Sequence, residues 1–208
     1  MFLVTWYKDI LDVVINNLLY FTDRIDLSIF YAMCIVIELS FMPKIDLIAD
    51  KLSKFFMIIS SLALIVLTLI VSYDVIARKL FSGGSIAMQE LEWHLYDIIF
   101  LFGISYTLAK DKHVRVDIFY DKFPFKMRKI INIIALVAFV VPLSTLIVLE
   151  VLPFVQMSIS QNEASPNPGG LPDRWIIKSI MFWAFIVLLL QAAGEIRKNS
   201  YMISKGGK

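Results

Sequence analysis

Four runs of about 20 mostly apolar residues, each long enough to carry a helix across a bilayer's hydrocarbon core, constrain this chain more than any other feature. They are Phe55 to Ala77, Leu91 to Ala109, Ile130 to Leu152 and Trp175 to Ala193. In lipid every backbone N–H and C=O must be satisfied within the protein, so isolated apolar runs of this length fold as α-helices. The residues are 59% hydrophobic and 18% charged and the mean hydropathy is +0.75, a balance unlike that of an ordinary soluble domain. The expected fold is an all-α integral membrane protein with four core transmembrane helices. Pro142 lies inside the third run, where loss of a backbone donor predicts a kink.

Residues 1–54 are expected to form an N-terminal helical extension ahead of a membrane domain at 55–197 and a tail at 198–208. Within the extension, ILDVVINNLLYF is amphipathic and Asp23, Arg24 and Asp26 interrupt the pattern. The apolar stretch at about 27–42, ending before Pro43, then suits one short extra crossing or an in-plane helix. The first residues include Asp9 and Asp12 and lead to no small-residue cleavage site, so the N-terminus is expected to be retained.

The connections differ sharply in basic residues. Segments 43–54, 110–129 and 194–208 hold three, seven and four Lys or Arg, against two in 78–90 and one in 153–174. The positive-inside rule therefore places the first set, with the C-terminus, in the cytoplasm. Segment 110–129 interleaves basic residues with Val114, Val116, Phe119, Phe123 and Phe125, the pattern of an interfacial amphipathic helix. Segment 161–175, QNEASPNPGGLPDRW, holds three prolines and a Gly-Gly pair and predicts an irregular, turn-rich outer loop.

Several chemistries find no support. The basic residues form no single patch for nucleic acid. No phosphate-binding glycine loop, nucleophile elbow, CxxC or HExxH is present. Cys34 is the sole cysteine, which excludes an intrachain disulfide. The enzymatic alternative is a membrane-anchor subunit of a respiratory complex carrying haem on histidines. The two histidines, His94 and His113, lie about 28 Å apart on one helix at 1.5 Å per residue and cannot ligate one iron within the chain.

The ionisable residues Asp74, Arg78, Glu90, Glu92 and Asp97 gather near the outer ends of the first two core spans. Asp74 and Arg78, at i and i+4, predict a mutual ion pair. Trp93 and Trp175, at span ends, suit an aromatic belt, and Gly103 and Ser105 permit close helix approach.

Two blocks carry a family resemblance. The run QELEWHLYDIIFLFGISYTLAKDKHVRVDIFYDKF resembles the small membrane subunit, the DctQ-like Q subunit, of tripartite ATP-independent periplasmic (TRAP) transporters. The matching features are the acidic residues Glu90 and Glu92 before Trp93, the small Gly103, and an H-V-x-V-D signature at His113, Val114, Val116 and Asp117. The block NEASPNPGGLPDRWIIKSIMFWAFIVLLLQAAGEI resembles the longer Q subunits, and the extension to residue 54 departs from a minimal four-span form.

The resemblance implies a multi-pass protein of the bacterial inner membrane that is not itself an enzyme or the pump. It implies a scaffold for a large M subunit, which takes up an organic anion, a carboxylate or sulfonate, in a sodium-coupled step fed by a periplasmic binding protein (the P subunit). No cofactor or metal is expected in this subunit, sodium coupling being a property of the M subunit. Partner or structural roles then fall to Asp74, Arg78, Glu90, Glu92, Trp93, Asp97, Asn167, Arg174 and Trp175. Lipid or interface anchoring falls to Lys112, His113, Arg115, Lys126, Arg128 and Lys129.

Overall fold

Long apolar segments with no internal strand signal leave helix packing as the main architectural variable, and the structure is an all-helical bundle. It is a computed structural model that describes residues 27–81, 83–110 and 123–205, and the described residues contain no strand. Among the described residues five helices follow in order: α1 (Leu27–Phe41), α2 (Ile45–Phe81), α3 (Ile86–Ala109), α4 (Phe125–Ser160) and α5 (Trp175–Ser204). α5 packs against α2, α3 and α4, and α2 packs along α3. The buried apolar core gathers Val36 of α1, Ile45 of α2, Leu108 of α3, Leu136 and Val141 of α4 and Ala192 of α5.

Among the described residues three helices, at Ile45–Leu80, Phe125–Ser160 and Trp175–Ser204, are long and apolar enough to cross a membrane. Each contains one of the expected runs and extends beyond it. α2 begins at Ile45, so 43–54 is the last two residues of a turn followed by helix, and the boundary read at 54/55 falls inside α2. The second run forms α3, 24 residues long or about 36 Å, with Glu90, Glu92 and Asp97 in its first half. α5 reaches Ser204, which makes most of the tail helical.

Pro142 acts on α4 through the hydrogen-bond ladder. Residues Leu136–Val140 form a π-helical turn, and the Val141 N–H bonds to the Leu136 carbonyl, five residues back. A proline ring collides with the carbonyl four residues before it; one wider turn just upstream rearranges those carbonyls without ending the helix. Pro153, read in the sequence as the start of a loop, instead lies inside α4. The helix continues because its last two turns still bury Val155 and Ser158 against the bundle.

The in-plane helix expected over 110–129 lies partly outside the described residues, with Lys112, His113 and Arg115 among those outside. Its last part is instead the start of α4, so Lys126, Arg128 and Lys129 open a long helix. The Lys129 ammonium lies 5.6 Å from the Phe125 ring centroid.

Candidate functional site

The bundle has two polar ends. At the loop end, α2 finishes, α3 begins, and residues 161–174 join α4 to α5. That segment is irregular, as its prolines and glycines predict. Asn167, Pro168, Gly169 and Gly170 make a turn closed by the Gly170 N–H to the Asn167 carbonyl at 3.0 Å. Pro stands at its second position and Gly169, with φ +81°, at its third, the residue pattern of a type II turn. The loop base is cross-tied by Ser165 N–H to Leu171 O and Arg174 N–H to Glu163 O, each 3.0 Å.

One carboxylate organises this loop from outside it. Glu90 stands in the first turns of α3, just ahead of the apolar run that begins at Leu91. It accepts a hydrogen bond from the Ser165 hydroxyl, one from Asn167 Nδ2 at 3.2 Å and one from the Leu171 backbone N–H at 2.8 Å. The Ser165 hydroxyl, followed by the Leu171 N–H, holds the Glu90 carboxyl below its ordinary 4.5, because donors aimed at a carboxylate favour its charged form. Gly170 is required by space as well as turn geometry: a Cβ there would sit 2.8 Å from Glu90 Oε2 and 2.5 Å from Ser165 Cβ. A second carboxylate, Glu163, pairs with Lys178 of α5, which holds it below its ordinary value. The same ammonium lies 3.7 Å from the Phe154 ring centroid, so one lysine ties the loop to both helices that bear it.

Beside the loop, Arg78 and Asp74 form the predicted ion pair at 2.5 Å, with Asp74 buried and Arg78 about half exposed. The structure thus brings Glu90 and Asn167 into direct contact and sets Arg174 within electrostatic reach of Glu90. Trp175 caps the sequence locally, donating from its indole N–H to Asp173 at 3.3 Å. Trp93 lies apart from this cluster, 74% exposed on the outer surface of α3. Asp97 is exposed about two turns beyond Glu90, and Glu92 turns Oε1 inward with no hydrogen-bond partner among the described residues.

At the opposite, tail end, the structure assembles a polar junction that the sequence reading does not contain. Gln191 of α5 is fully buried. Its amide oxygen accepts from Ser53 at 2.7 Å, and its nitrogen donates to Asp50 at 3.0 Å and Glu195 at 3.1 Å. Lys198 bridges the same two carboxylates, 2.6 Å from Asp50 and 2.8 Å from Glu195. Arg197 reaches the other way, to Asp46 at 3.4 Å and to the Met42 carbonyl at 2.8 Å. Gly194 lets α2 approach: a Cβ there would lie 3.1 Å from Ala49 Cβ and 3.2 Å from the Asp46 Cα. The available signal was spacing. Asp46, Asp50 and Ser53, like Gln191, Glu195 and Lys198, recur every three or four residues on one helical face, but the first set lies in 43–54, whose basic residues read equally as a connection.

Among the described residues no group of three His, Cys, Asp or Glu side chains is placed to hold a metal ion, and both polar clusters join helices to each other or to a loop. No curated protein matches the chain. The family described as Tripartite ATP-independent periplasmic transporters, DctQ component, matches residues 67–200, a span holding Glu90, the 161–174 loop and the α5 half of the tail junction. That is a family of transporter components, not of enzymes, and with well over half its length matched this chain belongs to it.

Proposed function

We propose that the chain is the Q subunit of a TRAP transporter and serves as the fixed scaffold of its large M subunit. Uptake is of an organic anion, delivered by a periplasmic binding protein and driven by sodium at a site in the M subunit. The observation that carries the scaffold reading is how little of the apolar surface the chain buries by itself. Only 11% of the most apolar stretch of α2 is buried in the bundle, against 22% for α4 and 33% for α5. A surface of that extent needs lipid or a partner's helices against it. The buried charged and amide groups, Asp74, Gln191, Glu195 and Asn199, sit toward the ends of the bundle, which suits a rigid support rather than a substrate path.

In this reading α3 is the fourth crossing, with its acidic first half at the outer interface. The tail end faces the cytoplasm, in line with the basic residues of 43–54, 110–129 and 194–208. The loop end is then periplasmic, and the Pro-rich loop fixed by Glu90 offers docking surface to the binding protein or the M subunit. Lys126, Arg128 and Lys129 lie at the cytoplasmic interface, within reach of anionic headgroups.

Purification of the tagged chain from its native membrane tests the proposal. A much larger polytopic partner is expected to come with it in fixed proportion. A stable lone subunit that catalyses sodium-coupled uptake after reconstitution would refute the scaffold role.

A further inference from the structure

The helix preceding the family-matched region has no place in the scaffold argument, yet it is built into the bundle. Val36 of α1 is buried in the common core, and Met33 and Leu39 pack against that core. Along the helix, Ile29, Ala32, Met33, Val36, Leu39 and Ser40 are among the partly or fully buried positions. Their spacing of three and four residues makes one continuous stripe along nearly its whole length. Its C-terminal end is held: Arg197 of α5 donates to the Met42 carbonyl at 2.8 Å and reaches that of Phe41 at 3.4 Å. Only Met42, Pro43 and Lys44 separate it from α2, with Lys44 at φ 68°. The C-terminus of α1 therefore lies at the tail end, beside the start of α2.

The opposite face of α1 decides where the helix lies. Leu27, Phe30, Tyr31, Ile35 and Phe41 are each more than half exposed, Phe41 to 79%. Glu38 is the sole charged residue from 27 to 41, and Ser40 satisfies its own hydroxyl on the Ile37 carbonyl at 2.6 Å. A helix lying on the headgroups, or across the tail end of the bundle, turns one face to water and needs polar residues there. Among the exposed positions of α1 the polar groups are the Tyr31 hydroxyl and Glu38, the latter one turn from its held end. A helix with so apolar an outward face belongs against hydrocarbon. At 1.5 Å per residue its 15 positions span about 22 Å of a core about 30 Å thick. The residues ahead of it include Asp23, Arg24 and Asp26, a charge cluster that headgroups solvate and hydrocarbon excludes.

We infer that α1 is inserted upright in the membrane beside α5, with its outward face against lipid acyl chains. The segment before Leu27 then lies on the opposite side of the membrane from the α5 tail. This goes beyond the scaffold reading and does not depend on it, because α1 and the tail are compared only with each other.

Single-cysteine labelling in a Cys34→Ala background tests the inference in the full chain, using a membrane-impermeant maleimide on spheroplasts and on inverted vesicles. Thr5→Cys and Lys205→Cys are expected to label from opposite sides. Labelling of both from the same side overturns the insertion. Asn167→Cys reports separately whether the loop end is periplasmic, so an error in overall orientation is distinguishable from an error about α1. A protease site placed ahead of Leu27, cleaved in one preparation and protected in the other, gives an independent reading should Thr5→Cys disturb expression. Cleavage in the preparation that exposes Lys205 refutes the inference.

Discussion

Replacing Lys198 with methionine isolates what the tail junction contributes. Lys198 is the one cation bridging Asp50 and Glu195, whose oxygens lie 2.6 and 2.8 Å from its nitrogen. Without it the two carboxylates share the single Gln191 nitrogen, 3.0 and 3.1 Å away. Removing one partner of a buried ion pair costs about 3–5 kcal/mol, because a charge is left uncompensated. Here Lys198 and Asp50 are 22% and 30% exposed at their side chains, so water screens part of the loss and about 2–3 kcal/mol is the better expectation. At roughly 2–4 °C per kcal/mol for a chain of this length, Lys198→Met should melt about 4–12 °C lower. The assay is thermal unfolding in detergent or nanodiscs, followed by the fluorescence of Trp93, Trp175 and Trp183. Adding Glu195→Gln removes one of the competing charges and keeps the hydrogen-bonding shape. The double variant should therefore melt above Lys198→Met alone. If the two substitutions instead lower the melting temperature additively, the residues are not energetically coupled and the junction is not the lock described.

Further outcomes follow from the loop end and from helix packing. The carboxyls of Glu90 and Glu163 are held below their ordinary 4.5, so their stabilisation of the loop is complete above that value and disappears as pH falls through the lower folded values. Protection of the 161–174 amides, that is exchange corrected for the intrinsic rate at each pH, should fall only on acidification below about pH 4.5, and Glu90→Gln should lower it already at neutral pH. Gly170→Ala should loosen the loop more than Gly169→Ala: the first drives a methyl into Glu90 and Ser165, whereas the second costs about 1 kcal/mol of backbone strain. The same exchange measurement ranks them. Gly194→Leu should push α5 off α2 at Ala49 and Asp46, with about 1–3 kcal/mol or more of overpacking, read as a lowered melting temperature. Replacing Lys126, Arg128 and Lys129 with Gln should weaken retention in anionic nanodiscs, by up to about 1 kcal/mol per charge, relative to neutral ones.

The helical character of this chain was legible because hydrocarbon permits few alternatives, and each apolar run did become helix. Helix ends were harder to read. Polar residues at a span's edge suggest water, yet Asp50 and Ser53 of α2 and Glu195 and Lys198 of α5 stay helical because, with Gln191, they satisfy one another's side chains across the two helices. Pro153 suggested a terminus for the same local reason, and the packing of Val155 and Ser158 overrode it. At the loop end, the Asp74 to Arg78 pair followed from spacing alone. The contact of Glu90 with Ser165, Asn167 and Leu171 joins residues at least 75 positions apart, and no local pattern encodes such a meeting. Both halves were singled out, but their partnership needed the fold.

That partnership bears on what holds the bundle together. Between helices in lipid, burial of apolar surface supplies little net attraction, since acyl chains are as apolar as leucine. Along the middle, the hydroxyls of Ser60, Thr68 and Thr145 are spent within their own helices, on the Phe56, Leu64 and Val141 carbonyls. Contact between helices there is by packing, as in the Phe56 and Phe102 rings stacked at 4.2 Å. Directional bonds between elements are concentrated at the ends: Glu90 and Lys178 at one, Gln191, Lys198 and Arg197 at the other. A bundle fastened in this way resists splaying while leaving its long apolar flanks bare for lipid or another subunit. Substitutions on those flanks should leave the isolated chain's stability nearly unchanged and act only on what it binds. Substitutions at either end should do the reverse.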